Sequence, residues 1–243
     1  GDMDMGGMDH GDMDMDMDMD MDMSPGGIAL AKGGPDRDGL EMDVLHVPLG
    51  PVLPYWPAGL VLHCTLHGDV IAAAEAEVLA PGPDEADQAD EVSATGAVRS
   101  LDNVVSLLAL AGWDAAAAEA RRVRDDLLDG DGHAAERLQR LDRRVRRSVI
   151  LRWSLRRLAP LGPDDLSARD LPAGLAGDTY DRLLAMLDRA GRGGLAPLQP
   201  FPVSALPDLV VGLDLAAARL VVAGLDLHEL DPGRTKAQEE SHA

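Results

Sequence analysis

The stretch GLVLHCTLHGDVIAAAEAEVL, residues 59–79, decides how the chain begins to fold. Two β-prone runs, Gly59 to Leu66 and Asp69 to Leu79, flank His67-Gly68-Asp69. A glycine in a short connection supplies the left-handed backbone that a tight hairpin needs, so the runs read as two antiparallel strands. Side chains alternate across a strand, which places Leu60, Leu62, Val70, Ala72 and Ala74 on one apolar cross-strand face. Upstream, Leu40, Met42, Val44 and His46 alternate with Glu41, Asp43, Leu45 and Val47, the pattern of another strand. His63, Cys64 and His67 spell His-Cys-x-x-His. On a strand the two histidines share one face and the cysteine points to the other, so the three do not meet at one ion. The reading is a half-buried hairpin with a core cysteine.

Downstream, residues 81–91 (PGPDEADQADE) form an acidic Pro/Gly linker, and beyond it the apolar period changes from two to 3.6. Leu101, Val104, Val105, Leu108 and Ala111 make one helix face that stops at Gly112. Asp114 is placed to cap an Ala-rich second helix running to about Leu128. Asp131 is placed to cap a much longer third, with Leu138, Leu141, Val145, Val149 and Trp153 or Leu155 on its stripe and Pro160 beyond its end. Asp178 opens a fourth helix through Tyr180, Leu183, Leu184 and Leu187 to Gly191, and a last one follows Pro207. Trp56 is expected beside the hairpin, and Trp113 and Trp153 are expected to bury their rings in the helical part. The fold class is therefore α+β, a small N-terminal antiparallel β-hairpin or sheet followed by a helical bundle. The expected organisation is a disordered Asp/Met-rich tail (1–24), a small β subdomain (25–80), the linker (81–93), a helical bundle (94–230) and a C-terminal tail (231–243).

Charge narrows the functional classes. Over 243 residues, 43 acids against 22 bases give a formal charge of -21 and a pI near 4.5, a balance that repels phosphate backbones and excludes nucleic acid as a partner. The apolar run from Leu206 to Leu227 is broken by Asp208, Asp214, Arg219 and Asp226, so no membrane span is expected. One cysteine forms no internal disulfide and no thiolate cluster, which suits a reducing compartment.

Nine Asp and nine Met fall within residues 1–24, largely as an (Asp-Met) repeat. That stretch has neither the basic nor the apolar region of a signal peptide, and its density of carboxylates favours disorder over a strand. Thioethers are soft ligands suited to Cu(I). Met3, Met5, Met8, Met13, Met15, Met17, Met19, Met21 and Met23, with His10 as a nitrogen donor, are the candidate metal ligands. Against copper capture stand the interleaved hard carboxylates and the ordinary absence of selected chemistry in low-complexity termini.

Nine arginines lie between Arg137 and Arg157 against one acid, Asp142. Such segregation on an acidic chain fits docking on an acidic neighbour, with Arg143, Arg144, Arg146 and Arg147 as the candidate partner-binding set. The plainer alternative is a solvated face whose long stems cover apolar surface. Gly191-Arg192-Gly193-Gly194 lacks the Lys-Ser/Thr ending of a phosphate loop, and no Gly-x-Ser-x-Gly elbow occurs, so no catalytic residue is singled out.

Gly50-Pro51-Val52-Leu53-Pro54, Gly59-Leu60-Val61-Leu62 and Leu66-His67-Gly68-Asp69-Val70-Ile71 together resemble the N-terminal hairpin of the large subunit shared by respiratory complex I, where it is the D subunit, and the nickel–iron hydrogenases. In the same order, the run Arg99 to Leu128 resembles that family's paired helices. Leu151-Arg152-Trp153-Ser154-Leu155-Arg156-Arg157-Leu158 resembles its central helix, and Gly177-Asp178-Thr179-Tyr180-Asp181-Arg182 its Gly-Asp-x-Tyr-Asp-Arg segment. The departures bear on chemistry. The hairpin histidines of the quinone site fall on Leu53 and near Pro57, the family's His-Arg-Gly-x-Glu stretch is replaced by the acidic linker, and two Cys-x-x-Cys pairs are replaced by Cys64 alone. The resemblance thus implies a shortened relative with no catalytic or cofactor-binding residue. The expected function is a non-catalytic accessory or scaffolding subunit of a complex I-like or hydrogenase-like redox complex. Its partners are the other subunits, and its place is the cytoplasm at the inner face of the membrane, reached through that complex. The alternative is a copper-binding protein acting through the tail.

Overall fold

A computed structural model describes residues 32–35, 41–79, 96–193, 201–227 and 230–231. Its first unit is an antiparallel meander of β1 (Lys32–Pro35), β2 (Glu41–Leu49), β3 (Leu60–His67) and β4 (Val70–Val78), in that spatial order. The hairpin turns at Gly68, whose φ is +63°. Leu60, Leu62, Cys64 and Leu66 face inward and His63 outward, as alternation requires.

On β4 the parity differs from the sequence expectation. Thr65 pairs with Ala73 and Leu66 with Ile71, so Ala72 is an extra residue in a bulge. One inserted residue exchanges the faces. Ile71 is therefore fully buried, Val70 is 40% exposed and Ala72 faces solvent, while Ala74, Ala76 and Val78 return to the core side. The bulge buries the largest side chain of the strand's start in place of two smaller ones.

The sheet is stitched to the end of the chain. Ile71 N–H donates to the Leu213 carbonyl at 2.9 Å and Gly212 N–H to the Ile71 carbonyl at 2.8 Å, pairing the first residues of the β4 edge. The inner face of the sheet shares one core with Phe201, Leu206, Val210, Val221, Val222 and Leu225.

The helices are α1 (Gly96–Leu110), α2 (Asp114–Leu128), α3 (Ala134–Arg147), α4 (Val149–Leu155), α5 (Pro163–Ala168), α6 (Thr179–Gly191), α7 (Leu206–Val210) and α8 (Leu215–Gly224). A two-residue parallel pair, β5 (Phe201–Pro202) with β6 (Leu230–Asp231), precedes α7 and follows α8. A second core lies among α1, α2, α3, α4 and α6, with α1 packed on α2, α6 and α8. The α+β class therefore holds: an N-terminal antiparallel sheet followed by helices. Among the described residues no helix is long and apolar enough to cross a membrane.

Four local expectations are corrected. The cap position of α2 is Trp113, with Asp114 as its first helical residue, and that of α3 is His133, whose N–H donates to Asp131 Oδ1 at 2.9 Å. The expected long third helix is two helices. Ser148 adopts extended backbone (φ −73°, ψ 107°) and its hydroxyl accepts from the Leu151 N–H at 3.3 Å, so a serine read as mid-helix is the cap of α4. The break rotates the apolar stripe. Leu151 and Leu155 are buried, whereas Trp153, expected in the core, is 82% exposed. Trp56 and Trp113 do pack against the two cores.

Candidate functional site

The metal candidates Met3, Met5, Met8, His10, Met13, Met15, Met17, Met19, Met21 and Met23 lie outside the described residues. Among the described residues no three His, Cys, Asp or Glu side chains are grouped to hold a metal ion. A groove of about 290 Å³ on the sheet is lined by His46, His63, Cys64, Thr65 and Glu75 among others. There His46 Nδ1 lies 3.1 Å from Thr65 Oγ1 and His63 pairs with Glu77 at 3.5 Å. Burial pushes the Cys64 thiol up, away from the thiolate a nucleophile needs.

The arginine segment divides into engaged and unengaged groups. Arg146 donates from Nε to both carboxylate oxygens of Asp142, at 2.8 and 2.9 Å, and from Nη2 to Asp188 of α6 at 2.7 Å. Arg144 donates to Glu119 of α2 at 2.9 Å and stacks its guanidinium 5.1 Å from the Trp113 ring centre. Arg137 pairs with Asp126 at 2.5 Å, and Arg152 and Arg156 lie over the buried Tyr180 ring at 5.7 and 5.5 Å. Two members of the expected partner-binding set, Arg144 and Arg146, are thus fixed by helix–helix contacts within the chain.

The guanidinium groups of Arg140, Arg143, Arg147 and Arg157 have no hydrogen-bond or ion-pair partner among the described residues. The first three are exposed and recur at i, i+3 and i+7, one face of α3. They line a shallow groove of about 390 Å³ with Trp113, Arg144 and Ser148. Trp113 and Ser148 also line an adjoining pocket of about 360 Å³ completed by Ala111, Gly112, Ile150, Leu151 and Ser154. Beyond it α4 turns Val149 (75% exposed), Ile150 (79%) and Trp153 (82%) outward.

The face is therefore composite: three guanidiniums without partners among the described residues line the groove, and α4 adds three exposed apolar side chains, of which Ile150 lines the adjoining pocket. Large apolar groups gathered in solvent mark an interaction site more reliably than single exposed leucines do. Arg140 and the apolar ridge escaped sequence reasoning. The i, i+3, i+7 spacing was the available signal for Arg140, and the ridge depends on the break at Ser148.

The Gly177–Arg182 segment has a different character. Asp178 caps α6, accepting from the Asp181 N–H at 3.0 Å while Asp181 accepts from the Asp178 N–H at 3.2 Å. Arg182 is 1% exposed and donates to the carbonyls of Ala159 (3.1 Å), Leu175 (3.4 Å) and Gly177 (2.9 Å) and to Thr179 Oγ1 (2.9 Å). Burial pulls it down to about 10, so it stays protonated at neutral pH. Gly177 has φ +93°, and a Cβ there would lie 2.7 Å from the Asp181 Cβ, so glycine is required.

No protein-family model, curated protein or solved structure matches the chain.

Proposed function

We propose that the chain is a non-catalytic accessory or scaffolding subunit that docks an acidic partner on the α3–α4 face, within a complex I-like or hydrogenase-like redox assembly. The observation that carries the docking is the pairing of Arg140, Arg143 and Arg147 with Val149, Ile150 and Trp153, all exposed, on a chain of charge -21. Arginine and tryptophan are favoured at interface centres because the planar fork is weakly hydrated and the indole brings a large apolar area. Covering an indole at this exposure gains about 3–5 kcal/mol before ordering costs. The class of assembly rests on the resemblance of the ordered segments between Gly50 and Arg182 to the family's large subunit.

The test is the Arg140→Glu/Arg143→Glu/Arg147→Glu triple variant, expressed at native level and recovered under conditions that keep redox complexes whole. The wild-type chain is expected to co-purify with flavin- or iron–sulfur-bearing subunits and the variant to lose them. Association is expected to slow as salt rises, since steering between exposed charges is screened beyond about 8 Å at physiological ionic strength. A wild-type chain that stays a monomer without partners, or turns over quinone or hydrogen unaided, overturns the reading.

A second reading, carried by the Met-x-Met spacing of residues 13–23, gives the tail a Cu(I) site. Replacing its nine Met by Leu in the full chain abolishes Cu(I) binding on that reading, and replacing its Asp by Asn weakens it much less.

A further inference from the structure

The chain carries a segment whose composition answers both ridges of the α3–α4 face. Residues 12–23 read DMDMDMDMDMDM, a carboxylate at every second position and an unbranched thioether between. We propose that this segment of the same chain occupies the face of Arg140, Arg143, Arg147 and Trp153, so that tail and outside partner compete for one surface. This rests on reading that face as a docking surface.

Four observations support the occupant. The first is charge: three guanidiniums without partners among the described residues meet six carboxylates, and the rest of the chain, 34 acids to 22 bases from residue 25 onward, repels that segment. The second is chemistry. Methionine is flexible and polarisable, adapts to irregular apolar surface and makes favourable contacts with aromatic edges, and Trp153 and Ile150 offer such a surface at 82% and 79% exposure.

The third is spacing. Alternate residues of an extended segment recur every ~6.6 Å on one side. Arg140, Arg143 and Arg147 climb α3 in steps of about 4.5 and 6 Å. A segment laid along the boundary between the ridges turns its carboxylates to α3 and its thioethers to α4. Because the repeat is uniform, several registers are equivalent, which lowers the entropy lost on docking. The fourth is reach. At about 3.3 Å per residue the chain from Met23 to Lys32 spans up to ~30 Å and from Asp12 ~65 Å, against a radius of gyration of about 16 Å for a 200-residue domain.

The test uses the full-length chain labelled with 13C at the methionine methyls, whose 11 signals include Met186, buried at 1%. At low ionic strength several tail methyls are expected to be displaced and broadened by the indole ring. They are expected to return to the common exposed position in Trp153→Ala, in the triple Arg→Glu variant and in 0.5 M salt (a concentration at which the Debye length is below about 8 Å). Met186 stays in place throughout and reports an intact fold. Should the triple variant move Met186, replacing Asp12, Asp14, Asp16, Asp18, Asp20 and Asp22 by Asn tests the contact from the other side, with the same collapse expected. Nine coincident tail methyls in the wild type, or displacements untouched by these changes, overturn the proposal. Displacements that grow with protein concentration assign the surface to a second copy and overturn it as well. The docking reading fails separately, when the triple variant keeps every partner the wild type has, whatever the methyls do.

Discussion

Arg182 and the Arg140/Arg143/Arg147 ridge are the same side chain under opposite conditions. Around Arg182 the backbone closes a cage. Arg157 and Ala159 hold left-handed conformations, φ +65° and +42°, that turn the 157–159 bend toward α6. Asp178 accepts from the Arg157 N–H at 3.0 Å, the Thr179 hydroxyl donates to the Leu158 carbonyl, and Arg182 donates to the carbonyls of Ala159, Leu175 and Gly177. Here the guanidinium is a fold element that nothing outside can reach. On α3 the break at Ser148 turns the neighbouring apolar residues outward and leaves three guanidiniums in solvent. The difference teaches that arginine content says little about binding, and that the number of backbone carbonyls or carboxylates aimed at each fork decides it.

The strongest way to break that contrast is to remove the caged group. Arg182→Met removes the guanidinium donor from the carbonyls of Ala159 and Leu175 and from the Thr179 hydroxyl, while the Gly177 carbonyl keeps the Leu161 N–H, and each buried group left unsatisfied costs about 1–3 kcal/mol. Unfolding in urea should show a loss of about 3–5 kcal/mol. Arg182→Lys should rescue little of it, since one ammonium does not reproduce a planar fork bonded at four points. Arg143→Ala, on the open ridge, should stay within about 0.5 kcal/mol of wild type. Equal losses at the two positions would dissolve the distinction between them.

A middle-sized effect sharpens the cage side. Burial pushes the Asp178 carboxyl up, but the hydrogen bonds it accepts from the Arg157 and Asp181 N–H groups and the nearby Arg156 charge outweigh burial and hold it below the usual carboxylate value. A carboxyl with a lowered folded-state value stabilises fully above its unfolded value, about 3.9, and that stabilisation is lost as pH falls through the folded one. Asp178→Ala should therefore cost about 1–2 kcal/mol at pH 7. The gap to wild type should hold down to about pH 5 and narrow below pH 4, as thermal unfolding across pH would show. A gap that widens in acid would mean the carboxyl is not the bonded, ionised partner of those N–H groups.

The two regions also differ in how readable they were. The α6 start is written in adjacent residues, since glycine, then aspartate, then aspartate three positions later spells both the clearance at Gly177 and the capping box. The hairpin was legible for the same local reason, but its bulge was not, because Ala72-Ala73-Ala74 carries no parity by which to place an extra residue. The open ridge was only half legible. The acids that tie Arg144 and Arg146 to other helices, Glu119 of α2 and Asp188 of α6, lie some 25 and 42 residues away in the chain. Within the run Arg137 to Arg157 only Asp142, four residues before Arg146 and bonded to its Nε, marks one of those two, and nothing there tells Arg144 from Arg143 and Arg147. The break at Ser148 was hidden because Val145 and Val149 continue a helical stripe on paper, and only the packing of Leu151 and Leu155 shows the stripe ending.

The smallest expected effect is the most telling about the open face. Trp153 and Leu155 sit two residues apart on α4, and a helix turns about 200° over two residues, so they point to nearly opposite sides. Leu155 is fully buried in the helical core, and Leu155→Ala should cost about 2–5 kcal/mol from lost transfer and the cavity left behind. Trp153 leaves 82% of its area in water, so Trp153→Ala removes almost no buried contact and should shift stability by less than about 0.5 kcal/mol. On the same variant, partner co-purification should fall sharply, because the indole is the largest apolar area the face offers. A stability loss near that of Leu155→Ala would place the indole in the core after all and remove the apolar ridge. A neutral variant that keeps every partner would leave the ridge without a role and give the α3 arginines the whole of the docking.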